Sequence, residues 1–228
     1  MSFHQTKLIA LALCGTVLAS PAAAALTVHD SPFIDSPTAT NGFEGIGDIT
    51  ALDGVNSYSE DGISVNYIGT GLIWSTSQPT PDGIYSWYPD GGGNGYTSIT
   101  FDDATEIEFL TSSGWFDGTG AALAYEVLLD GVLVGSGIAG PVPGYLAGWT
   151  TYGFSGATFD EVHLQVYLDP TSFDPFAYEA GAFDAIKIGS GDTPAVPEPA
   201  SWALMIAGLA CAGGMMRRAA VRNSMQFV

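Results

Sequence analysis

Residues 26 to 188 carry no apolar pattern of helical period. A helix on a globular core needs apolar side chains returning every three or four positions, and that return is missing. What recurs instead are short runs of β-branched and aromatic residues, broken by Gly, Pro and Asp, the pattern of strands joined by tight turns. The runs cover 63–68, 72–75, 98–101, 106–110, 122–129, 132–136, 149–154, 161–168 and 183–188. In the eighth, Val162, Leu164, Val166 and Leu168 share one face, and Glu161, His163, Gln165 and Tyr167 share the other. One buried and one exposed face marks an antiparallel sheet. Asp130-Gly131 stands between two apolar runs and predicts a type I′ hairpin, which needs positive φ at both central residues. The expected fold is all-β: a two-sheet antiparallel β-sandwich of jelly-roll type, built from about nine short strands.

That sandwich has no covalent staple. Cys14 and Cys211 both lie outside it, in apolar runs near the two ends. Its stability must come from its core, and about 170 residues can bury enough apolar surface for that. Charged residues make up 13% of the chain, low against the usual ~25%, while Gly (30 residues) and aromatics are plentiful. All 24 acidic residues lie between Asp30 and Glu198, where Lys187 is the one basic residue. So acidic a surface repels phosphate backbones and anionic headgroups, which excludes nucleic acid as a partner. It would attract divalent cations or basic partners, and it would also keep the domain soluble.

The ends carry their own signals. Lys7 precedes an apolar run, 8–18, too short to span a bilayer, and Ala22-Ala23-Ala24-Ala25 follows Pro21 as a small-residue cleavage site. Residues 1–25 therefore read as a secretory signal peptide with a helical apolar core, cut by signal peptidase. Residues 191–199 form a Pro-rich linker in which Pro197 and Pro199 flank Glu198, an extended segment that a processing enzyme could grip. Residues 200–216 are apolar or small, at the short end of a membrane helix, with Trp202 at an interfacial position. Arg217, Arg218 and Arg222 follow in a basic tail, 217–228, that the positive-inside tendency keeps cytoplasmic. This places residues 26–190 outside the membrane, tethered by a single helix.

Val196-Pro197-Glu198-Pro199, the apolar helix with Trp202-Ala203-Leu204-Met205, and Arg217-Arg218 together resemble the PEP-CTERM sorting signal. The resemblance implies recognition and cleavage by exosortase in a Gram-negative, polysaccharide-secreting host, and release to the cell surface or extracellular matrix. The extension 219–228 departs from the family pattern. A looser resemblance joins Gly42-Phe43-Glu44-Gly45, Asp61-Gly62-Ile63-Ser64-Val65 and Ala182-Phe183-Asp184-Ala185-Ile186-Lys187-Ile188 to jelly-roll modules of the carbohydrate-binding type. It implies a possible structural Ca2+ held by Glu44 and Asp184. Both residues also fit ordinary edge positions.

For binding, the aromatic segment between Trp74 and Tyr96 stands out. Tyr85, Trp87 and Tyr88 could stack on sugar faces, and Asp90 and Asn94 could bond hydroxyls, unless the rings are core residues. The chain holds three histidines without metal-ligand spacing and no G-x-S-x-G elbow, so no catalytic residue is assigned. Glu106 and Glu108 read as one solvated strand face. Three functions remain: an adhesive glycan-binding surface protein with exopolysaccharide as partner, a purely structural self-associating protein, and an extracellular glycoside hydrolase.

Overall fold

The computed structural model describes residues 25–47, 54–70, 72–74, 80–90, 94–115 and 120–191, with positions 208 and 210. The predicted signal helix and basic tail lie outside the described residues, as do Pro197, Glu198, Pro199, Trp202, Arg217 and Arg218; of the predicted membrane helix, Gly208 and Ala210 are described, both helical. Among the described residues no helix is long and apolar enough to cross a membrane.

The described chain is built of antiparallel strands: β1 (Thr27–His29), β2 (Ala39–Asn41), β3 (Ser57–Glu60), β4 (Ile63–Gly69), β5 (Leu72–Trp74), β6 (Tyr88–Asp90), β7 (Gly95–Ser113), β8 (Ala121–Leu129), β9 (Val132–Ala139), β10 (Thr150–Leu168) and β11 (Gly181–Gly189). Nine of them form one sheet, and β5 pairs with β6 in a separate ribbon. Asp130 and Gly131 carry φ of 51° and 72° and join β8 to β9 through the expected hairpin. Asp61 and Gly62, at 48° and 82°, do the same between β3 and β4.

β7 and β10, 19 residues each, organise the molecule. At one end β7 pairs with β4 and β10 pairs with β8, extending the sheet to β3 and β9. At the other end β7 pairs with β11, which reaches β2, and β10 pairs with β1. Register shifts between Ser155 and Glu161, with Gly156 at φ 96°, bend β10 between the two portions. The portions face each other: Tyr125 of β8 meets Phe154 of β10 with ring centroids 4.6 Å apart. Between them lie Val65, Ile99, Val127, Val162 and Leu164 from one portion and Ile107, Phe109, Phe183 and Ile186 from the other, all fully buried. This is a β-sandwich made from one continuous sheet.

The sequence reading split both long strands. Residues 98–101 and 106–110 are one strand, as are 149–154 and 161–168. Asp102 and Asp103, between the two runs, stay within β7 with exposed side chains, at the register shift where β10 pairs with Thr100 and Ala104 but not with them. Glu108 is a second correction. It is 3% exposed rather than solvated, because Lys187 Nζ (2.7 Å) and the backbone amides of Phe33 (2.6 Å) and Ile34 (2.9 Å) all donate to it. Those bonds hold its carboxyl below the usual range although burial pushes the other way.

Candidate functional site

Strand register lines up polar side chains across the outer face of the β3–β4–β7–β10–β8–β9 portion. Ser57, Asn66, Ser98, His163, Glu126 and Ser136 are successive cross-strand partners. Such a row follows from the two-residue period, which puts the whole polar set of each strand on one side. At its centre Ser98 Oγ donates to Glu161 Oε1 at 2.7 Å. His163 Nε2 lies 2.9 Å from the same oxygen, and His163 Nδ1 lies 3.3 Å from Glu126 Oε2. Both partners of the imidazole only accept, so an imidazolium satisfies the pair and a neutral ring satisfies one of them. The glutamate side chains keep 28% and 29% of their exposure. Ser98 spends its hydroxyl on Glu161 rather than on the imidazole, which is not the arrangement of an activated nucleophile.

Next to this row a groove of about 440 Å³ opens, lined by Ile68, Thr70, Asn94, Tyr96, Pro175 and Phe176. Phe176 is 78% exposed and Ile68 45%. Tyr96 joins groove to row: its ring lies 4.6 Å from His163 and 5.4 Å from Phe173. Burial, and then the charges of Glu161 and Glu126, push its hydroxyl pKa up.

One buried side chain fixes both walls. Gln165 is fully buried in β10; its Nε2 donates to Gly95 O at 2.7 Å and to Ala177 O at 3.4 Å. Its Oε1 accepts from Asp174 N at 3.3 Å, and Asp174 Oδ1 accepts from Phe176 N at 2.9 Å. The start of β7 and the Asp174–Ala177 turn are thus tied to one amide. The Asp-Pro-Phe turn needs the Asx bond at Asp174 to present Phe176 outward.

The residues singled out from sequence fall in two places. Asn94 is exposed and lines the groove. Tyr85 and Tyr88 are half-buried elsewhere, and Asp90 closes β6, with its side chain outside the described residues. Trp87 is a correction: it is 0% exposed, so its ring offers no face to a sugar. It stacks on Phe43 at 6.2 Å, its Nε1 donates to Thr97 Oγ1 at 3.2 Å, and its backbone pairs with Phe183 in both directions.

Glu44 and Asp184 both cap the 82–85 segment. Glu44 is exposed; its Oε1 accepts from Ile84 N (2.7 Å) and Tyr85 N (3.0 Å), which lowers its pKa. Asp184 is fully buried; it accepts from Ala185 N (2.8 Å) and Asp82 N (3.4 Å), and burial pushes its carboxyl up to about 7. Calcium takes six to eight oxygens, several from carboxylates. Among the described residues no group of three acidic, histidine or cysteine side chains gathers to hold a metal ion. Both carboxylates bond backbone amides, those of the 82–85 segment and of Ala185.

No protein-family model matches the chain, and no curated protein sequence matches it. Among solved structures, the CBM22-1 xylan-binding domain of Xyn10C from Paenibacillus barcinonensis is similar at 11% identity. The match covers 68% of this chain and 96% of that one, with a TM-score of 0.37. A likeness at that level says nothing about what this chain binds.

The sequence reading included Tyr96 only as the end of the aromatic segment, without assigning it a contact, and missed Phe176. The available signal was a turn segment, Asp169 to Tyr178, that holds Phe173, Phe176 and Tyr178 among Pro170, Asp174 and Pro175. Aromatics that dense in a proline-containing turn cannot all reach a core.

Proposed function

We propose that this is an exported surface protein whose jelly-roll-type sandwich binds polysaccharide through the Tyr96–Phe176 groove. The signal peptide carries it across the inner membrane, and the PEP-CTERM tail holds it there until exosortase releases it to the cell surface or matrix. The observation that carries the binding reading is the groove: exposed apolar surface of Ile68 and Phe176 and the half-buried ring of Tyr96 beside the amide of Asn94. Ring faces cover the apolar side of a sugar, and amides and hydroxyls bond its rim. Retention of the full chain, in mild detergent, on a panel of insoluble polysaccharides tests it. Retention that Phe176→Ala abolishes is expected, in calcium and in EDTA alike. No retention on any polymer would remove the reading.

A structural, self-associating role is the second reading, favoured by β9. Its outer edge pairs with no strand among the described residues, it carries no charge or proline, and Val132 and Leu133 are 68% and 53% exposed. Such an edge is a template for another strand.

A further inference from the structure

We infer that the groove takes a glycan whose sugars carry free, protonated amino groups. This rests on the glycan reading above and narrows it. The ring and amide surface of the groove is neutral, but the face beside it is not. Glu161 and Glu126 flank His163 there, each more than a quarter exposed, and the ring of Tyr96 lies 4.6 Å from that of His163. Among the described residues only Oε1 of Glu161 and Oε2 of Glu126 are hydrogen-bonded, which leaves the second oxygen of each to accept from an ammonium group.

Anionic sugars find no counterpart. Lys187 is the one basic residue among the 24 acids, and its Nζ is held on Glu108 Oε1 at 2.7 Å. A uronate, sulfate or phosphate group would meet a repulsive field with no donor fork to receive it. A polymer of amino sugars meets rings for its faces and carboxylates for its amines.

The test uses the full chain in mild detergent and three insoluble probes: deacetylated chitin, fully acetylated chitin and a polyuronate. Retention on the deacetylated polymer is expected, with little on the acetylated one and none on the uronate. Glu161→Gln and Glu126→Gln, which keep the side-chain shape, should each weaken retention about fivefold, the factor that ~1 kcal/mol represents. Asp102→Asn removes the same charge from an exposed site further along β7 and should change retention less than about twofold. Equal losses in all three variants would mean simple charge adsorption and overturn the inference. Retention on acetylated chitin alone would overturn it while leaving the glycan reading standing. Absence of retention on all three probes, with retention on another neutral polymer, would do the same; absence on every polymer removes both.

Discussion

Two aromatic regions of this sandwich use the same residue types to opposite ends. Around Trp87, the rings of Phe43 and Phe183 are fully buried and the indole N–H is satisfied by Thr97. Around Phe176, which is 78% exposed on a turn held by bonds to Gln165 and Asp174, the rings of Tyr96 and Phe173 are half-buried. The first region stores stability; the second presents apolar surface that folding did not consume. Contiguous exposed rings beside polar groups are what a binding surface needs, and buried ones are what a core needs.

The comparison breaks most visibly at Trp87. Trp87→Ala should cost about 3–5 kcal/mol of stability, read by denaturant unfolding, since it empties a large buried site and orphans Thr97. A loss under about 1 kcal/mol would mean that the region is not core.

The same buried corner holds Asp184. Its carboxyl moves from an ordinary 3.8 to about 7 in the fold. Between those values the folded chain keeps the proton and the unfolded chain does not, so stability falls as pH rises from about 4 to about 7. Asp184→Asn should flatten that slope, the difference growing to about 2–4 kcal/mol across the window. Parallel pH-stability curves for both proteins would contradict the burial. Glu179, fully buried with its carboxyl pushed well up, adds a slope of the same sign.

Gln165 links core to groove. Gln165→Ala should cost about 1–3 kcal/mol and weaken glycan retention as well, because both walls lose their common tie. Retention unchanged in a folded Gln165→Ala protein would show that the walls hold without it. The smallest stability effect belongs to Phe176→Ala, within about 0.5 kcal/mol by thermal melting, with the largest loss of retention.

Much of the fold was legible because strand alternation is local: Val162, Leu164 and Val166 face the core as their pattern required, whereas Leu168, at the strand's end, is 42% exposed and Gln165, read on the exposed face, is fully buried under the Asp174–Ala177 turn. The Asp130-Gly131 hairpin was legible for the same reason. The long strands were not, since only pairing across β7 and β10 decides whether Asp102-Asp103 turns or continues. Among the candidate residues Asn94 reached the groove and Trp87 did not. Composition marks an aromatic segment but not which of its residues a distant strand will draw inward; here Trp87 bridges, backbone to backbone, to Phe183, nearly a hundred positions away. His163, Glu126 and Glu161 meet through register among three strands, which no spacing in the sequence announces.

The central claim is that glycan is bound at the Tyr96–Phe176 groove and not at the Trp87 corner. Backbone amide chemical shifts of the full chain, followed while a soluble oligosaccharide of the retained polymer is added, test it most directly. Shifts centred on Asn94, Tyr96 and Phe176, with Trp87 and Phe183 unmoved, are predicted. Shifts centred on Tyr85, Trp87 and Tyr88 with the groove unmoved would contradict it.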